Sequence, residues 1–178
     1  MIKLIAVLNK KRAIGTIRDG KPDLLYKDLH TDLARFRRLT KGQPVIMGPT
    51  TYASLPDGAR PLPGRPNFVV SRTPGYTAEG ATVVGTIEEA IARAKVLAGD
   101  GDVWVIGGAM IYSLARQYAD ELFLTLVDDE TEGEPHFFDY EDEFSEIVPN
   151  EDEADNGVHE ENGKRFIYQT RARPSSTS

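Results

Sequence analysis

Asp32 is the residue in this 178-residue sequence whose placement most invites a chemical reading. It lies three residues after Leu29 and four before Phe36, so on a helix the three share one face. That face is apolar and bound for a core, where a carboxylate is costly unless it is paired or protonated. One reading is structural: Asp32 pairs with Arg35 or Lys27, or caps a helix turn. The other is functional: a pocket acid with a raised pKa that binds and polarises a nitrogen heterocycle. A carboxylate accepts two hydrogen bonds side by side, which suits the N–H and NH₂ pair of an aminopyrimidinone ring.

Gly107-Gly108 is a second candidate, set between the apolar run Val103–Ile106 and a helical segment from Ala109. A glycine turn there lets backbone amides approach a pyrophosphate, and the helix dipole favours negative charge. Gly-Gly is also an ordinary tight turn. It is not the Gly-x-Gly-x-x-Gly fingerprint, so a standard Rossmann reading fails.

These residues need elements to hold them. Short apolar runs rich in β-branched residues read as strands: Ile2–Leu8, Pro44–Met47, Phe68–Val70, Thr82–Val84, Val103–Ile106, Leu122–Val127 and Arg165–Thr170. Leu29, Leu33 and Phe36 recur at helical spacing and predict an amphipathic helix over Asp28–Leu39. Thr86-Ile-Glu-Glu89 is a capping box opening a helix to Leu97, closed by Gly99. A shorter helix is expected over Ala109–Arg116. Strand and helix alternate, which predicts an α/β fold with a mostly parallel, twisted sheet. The last two strands flank an acidic loop, Pro149 to Gly163, and read as an antiparallel hairpin at the sheet edge.

The length suits one domain, expected over residues 1–172, with a loose tail over 173–178. The chain has no cysteine, which excludes disulfides and thiolate metal sites and fits a cytoplasmic protein. No apolar stretch near the start is long enough to span a membrane, and no signal peptide is expected. A net charge of −7 argues against nucleic acid as a partner. Acidic residues concentrate between Asp128 and Glu161, and that run reads as a solvated surface.

Further motifs sharpen the reading. Leu4-Ile-Ala-Val-Leu8 and Ala13-Ile-Gly15 are followed by Asp32-Leu-Ala-Arg-Phe36 and Pro44-Val-Ile-Met-Gly48. Arg60-Pro-Leu-Pro-Gly-Arg65 with Asn67, Ser71-Arg72, Val105-Ile-Gly-Gly108 with Tyr112, and Leu122-Phe-Leu-Thr125 complete the series. In this order the motifs resemble the dihydrofolate reductase family over nearly the whole chain. The resemblance implies an eight-stranded sheet with flanking helices, and reduction of 7,8-dihydrofolate to 5,6,7,8-tetrahydrofolate by hydride transfer from NADPH. It casts Asp32 as the catalytic acid, holding the pterin's N3 and 2-amino edge and favouring protonation at N5 through water. Thr125 would hydrogen-bond to Asp32 and to the ring's amino group. Ile5, Val7 and Phe36 would line the pterin pocket, and Leu33 and Leu55 the benzoyl region. Arg65 would clamp the glutamate α-carboxylate, with Arg60 near the glutamate tail.

For the cofactor, the resemblance implies contacts from Ala6 and Val7, and from the loop Ala13, Ile14, Gly15 and Thr16. Gly48, Thr50 and Thr51 would add to these from the middle of the chain, and Ile106, Gly107, Gly108, Ala109 and Tyr112 from the glycine turn. Ser71 and Arg72 would meet the adenosine 2′-phosphate. No metal, nucleic acid or membrane is implied, antifolates should bind, and a monomer is expected.

The sequence departs from the family's pattern in places. The family's Pro-Trp pair before the acid is absent; the segment reads Leu24-Leu-Tyr-Lys-Asp-Leu29, with Tyr26 as the aromatic stand-in. Pro49 occupies a position that is basic in many members, which leaves Arg72 to discriminate NADPH from NADH. The acidic stretch Glu151–Glu161 exceeds the family's pattern and reads as hydrated surface. Rival readings are a reductase of a pyrimidine intermediate in riboflavin synthesis, and a folate- or nucleotide-binding protein without turnover. The Arg-Pro-Leu-Pro-Gly-Arg element and the helix acid favour folate over the first.

Overall fold

The chain is described over residues 1–175 by a computed structural model. The first strand, β1 (Ile2–Asn9), is apolar through most of its length because both of its faces are covered. Leu4, Ala6 and Leu8 enter one core cluster, Ile5 a second, and Val7 borders a third. A small hairpin follows, β2 (Gly15–Arg18) and β3 (Lys21–Leu24). Then come α1 (His30–Thr40), β4 (Val45–Met47), α2 (Pro49–Ser54), β5 (Asn67–Val70) and β6 (Thr82–Val84). The second half holds α3 (Ile87–Ala98), β7 (Val103–Gly107), α4 (Ala109–Ala115) and β8 (Glu121–Val127). Last are β9 (Glu146–Val148), β10 (His159–Glu161) and β11 (Lys164–Ala172).

The main sheet runs β10-β11-β8-β1-β7-β4-β5-β6, with β9 added beside β11. Every pairing from β8 across to β6 is parallel, while β11 runs antiparallel to β8, β9 and β10. The mostly parallel eight-stranded sheet with a C-terminal antiparallel edge is therefore as expected. The order also places β1 between two wings, with the carboxyl ends of β1, β4 and β7 side by side. In open α/β sheets ligands bind outside that edge, where the strand order reverses.

Local chemistry accounts for the helix ends. The Thr86 hydroxyl accepts from the Glu89 amide at 3.2 Å, and Glu89 reaches back to the Gly85 amide at 3.4 Å. Gly99, at φ +56°, closes α3 with its amide on the Lys95 carbonyl. Of the expected tail, Arg173 donates to the carbonyls of Ala119 and Arg116 and pairs with Glu143, whereas 176–178 lie outside the described residues. No described helix is long and apolar enough to cross a membrane.

Candidate active site

Asp32 occupies the first turn of α1, half-buried over the strand that carries Thr125. Thr125 is 1% exposed and sits on β8 opposite Val7 of β1. Its hydroxyl donates a short hydrogen bond to Asp32 Oδ1. Burial drives the Asp32 carboxyl above its ordinary range; the Thr125 hydrogen bond and the Arg35 charge oppose that, and Glu161 and Asp155 reinforce it. The structural pairings weighed for Asp32 do not form. Arg35 bonds to Asp155 instead, and Lys27 to Asp23. Tyr112 is buried nearby, donates to the Ile5 carbonyl at 2.6 Å, and has its hydroxyl pushed up by burial and by Asp32.

An apolar wall adjoins the acid. Ile5, Phe36, Leu55 and Ile106 belong to one cluster with Met47 and Trp104. Leu33 is 36% exposed, so α1 does not bury the whole apolar stripe; it turns Leu33 outward and buries Arg35. The Arg60–Arg65 loop is stitched by Asn67, whose side chain accepts from the Leu62 amide and donates to the carbonyls of Leu62 and Arg65. Arg65 donates to Thr40 at the end of α1 and lies over the Phe36 ring, centroid distance 5.8 Å. Burial and the Arg37 charge lower its pKa. Arg60 is exposed and pairs with Asp57.

The ends of β4 and β7 form a backbone cradle. The Gly48 amide donates to the Gly107 carbonyl at 2.8 Å, and Gly48 and Gly108 are the N-cap residues of α2 and α4. Gly107 has φ +120°, and a Cβ there would stand 3.2 Å from the Tyr112 hydroxyl. A Cβ on Gly48 would meet Ile111 at 3.0 Å, and one on Gly108 would approach the Thr51 hydroxyl at 3.5 Å. A side chain would be crowded at Gly48 and Gly107, and Gly107 also needs its positive φ, so glycine keeps the backbone of this turn bare. Ala6 is buried in β1, Thr50 is exposed in α2, and Ala109 opens α4. Ser71 and the exposed Arg72 follow β5 along the same edge.

The segment from Thr16 to Asp28 contains most of the β2–β3 hairpin. Asp19 and Gly20 both take positive φ at its tip, the Asp-Gly signature of a tight hairpin turn. Ala13 bridges to His136, and the Ile14 amide bonds to the Pro135 carbonyl. β3 approaches α2, so the hairpin lies against the same side as the glycine cradle. Tyr26, the expected aromatic stand-in, donates its hydroxyl to Asp129 at 2.7 Å and packs its ring with Leu29, Val127 and Phe166.

The acidic stretch Glu151–Glu161 is not merely hydrated surface. Asp155 is buried and binds Arg35 Nε at 2.8 Å and Arg38 Nη2 at 2.6 Å. Asp152 makes a short contact with Arg38. Glu161 accepts from the amides of His30 and Thr31, both at 2.9 Å, capping α1. A groove of about 710 Å³ runs beside this segment along Arg35, Arg38 and Phe123, and Asp32 does not line it. Net acidity hid these roles. The Asn162-Gly163 pair, another tight-turn signal, marks the β10–β11 hairpin that delivers Glu161.

The family model for dihydrofolate reductase matches residues 1–173. A dihydrofolate reductase type 3 from Salmonella typhimurium is 40% identical over 140 residues, covering 79% of this chain and 80% of that protein. A dihydrofolate reductase from Bacillus subtilis is 34% identical over 151 residues, covering 85% and 83%. One from Mycobacterium leprae is 50% identical over 97 residues, covering 54% and 57%.

Proposed function

The chain belongs to the dihydrofolate reductase family and is therefore an oxidoreductase, and we propose that it reduces 7,8-dihydrofolate to tetrahydrofolate with NADPH, Asp32 anchoring the pterin. The observation that carries this reading is the Asp32–Thr125 pair, a carboxylate held by one buried hydroxyl beside an apolar wall. Asp32 keeps an oxygen edge for the paired N–H donors of the pterin. Thr125 fixes the rotamer of that edge and, as a hydroxyl, has a lone pair left to accept from the ring's amino group. Ile5 and Phe36 give the ring an apolar surround, which strengthens the charged contact and excludes water. A carboxyl pushed up by burial retains a proton near the ring more readily than an exposed aspartate, and so favours protonation at N5. NADPH, when bound, supplies the hydride. Gly48, Gly107, Gly108 and Thr51 would hold it, and Arg72 would meet its 2′-phosphate. Arg65 is the cation for the glutamate end of the substrate.

The test is NADPH oxidation followed by absorbance on addition of dihydrofolate. Wild type should turn over, and Asp32→Asn should bind NADPH equally while losing on the order of 100-fold or more in hydride transfer at neutral pH. Full activity in Asp32→Asn would end the assigned role. No turnover in the wild type, with an antifolate bound tightly, would favour a binding protein.

A further inference from the structure

The helix that carries Asp32 is gripped from its far side by one acidic segment. At its N-terminus, Glu161 accepts from the His30 and Thr31 amides, and Asn162 Nδ2 donates to the Asp28 carbonyl at 2.8 Å. One turn on, Asp155 takes Arg35 Nε, and further along Asp155 and Asp152 take Arg38. The Arg35 and Asp155 side chains are only 3% and 8% exposed. Arg35 Nη1 is buried without a partner among the described residues, so this guanidinium depends on Asp155. Its carbon lies 4.2 Å from the centroid of the Tyr168 ring. Asn150 anchors the segment in turn, donating to the carbonyls of Asp155 and Tyr168. Helix α1 has no side-chain cap of its own at Leu29. The capping of its first turn and the pairing of its arginines therefore come from chain more than 100 residues away.

Resting on the role assigned to Asp32 above, we propose that Asp155 and Glu161 are positioning residues for the reaction: they fix the rotation and depth of α1, and with it the pose of Asp32 toward the pterin. Their charges add a second effect. The charged and titratable groups around Asp32 are Arg35 on its own helix, Asp155 and Glu161 behind it, and the Tyr112 and Tyr168 hydroxyls from α4 and β11. Asp155 and Glu161 oppose loss of the Asp32 proton, whereas Arg35 promotes it. Removing either carboxylate should make the proton leave at lower pH. A unit charge removed from about 10 Å at an effective dielectric near 40 moves a titration by roughly half a pH unit.

The experiment uses the full chain, with Asp155→Asn and Glu161→Gln each compared with wild type for dihydrofolate turnover across a range of roughly pH 5 to 9. Folding is checked by thermal unfolding and NADPH affinity by fluorescence titration. We expect the alkaline limb of the kcat/KM profile to move to lower pH by about half a unit in each variant. At neutral pH, kcat/KM should fall roughly 5- to 50-fold while NADPH affinity is kept. Arg35→Met should move the limb the opposite way. Glu161→Gln alters a half-buried cap and keeps the test open where Asp155→Asn fails to fold. A folded Glu161→Gln whose limb is unmoved and whose kcat/KM is within about twofold of wild type would overturn the proposal, as would an upward shift. Absence of dihydrofolate turnover in the wild type would instead overturn the function assigned above, and this inference with it.

Discussion

Replacing Asp32 by asparagine should make the fold more stable at pH 8 while removing turnover. The ordinary aspartate value is about 3.9, and that is its value in the unfolded chain. Burial raises it in the folded protein, against the pull of Thr125 and Arg35. Below about pH 3.9 the carboxyl is protonated in both states, and the aspartate costs nothing that an asparagine would not. As pH rises toward the folded value, the unfolded chain sheds its proton first, so wild-type stability falls; above the folded value the loss is constant. Burying a carboxylate with a single hydroxyl donor costs on the order of 1–3 kcal/mol. For a chain of this size each kcal/mol is about 2–4 °C in Tm. The asparagine would still accept from Thr125 through its carbonyl oxygen, so the variant sheds the charge without orphaning the hydroxyl. Thermal unfolding of both proteins from pH 5 to 8.5, roughly spanning the expected divergence, should show a gain of several degrees for Asp32→Asn at the alkaline end, shrinking toward acid. Equal stability at pH 8, or a gain that grows as pH falls, would refute the reasoning, because the ionised carboxylate would not then be penalised in the fold.

The cofactor side yields two further expectations. Gly107→Ala places a methyl 3.2 Å from the Tyr112 hydroxyl on a backbone with φ +120°; it should destabilise by about 1–3 kcal/mol and weaken NADPH at least about tenfold in a fluorescence titration. A well-folded variant with unchanged affinity would remove the glycine cradle from cofactor binding. Arg72→Ala should lower the ratio of kcat/KM with NADPH to that with NADH by roughly tenfold or more, since the loop after β5 then lacks its cation. An unchanged ratio would remove Arg72 from that role.

The sheet was legible because its strands are buried on both faces. Ile2–Leu8 and Leu122–Val127 are apolar but for Lys3 and Thr125, and their observed limits differ from expectation by a residue at most. Helix α3 was legible because its ends are chemically marked by Thr86, Glu89 and Gly99. Helix α2 was not: Pro49 suits the first turn of a helix, but six residues are too few for a period to show. The β2–β3 hairpin was missed although Asp19-Gly20 announces it, because its strands carry Lys21, Pro22 and Asp23 and no alternating apolar face. Of the site, Asp32 and Thr125 were paired correctly, since a core-facing acid needs a partner and the motif order supplied one.

The acidic stretch marks where composition stops being informative. Counted as charge, Glu151–Glu161 reads as surface, because a run of like charges solvates itself when nothing opposes it. What opposes it is Arg35 and Arg38, one helical turn apart on a helix more than 100 residues earlier. Arg35 could be taken as the partner of Asp32, three residues away on the same helix. The fold decides otherwise, because β11 brings Tyr168 and Asn150 together behind α1 and seats Asp155 there. That choice leaves Asp32 with a hydroxyl as its only described hydrogen-bond partner and a cation that is already neutralised. An acid pinned directly to an arginine would be held in its charged form; with Arg35 engaged by Asp155, burial keeps the Asp32 carboxyl above its ordinary range. Pairing at a distance thus leaves Asp32 free of a direct ion pair, and it can be read only once the sheet has brought the two ends of the chain together.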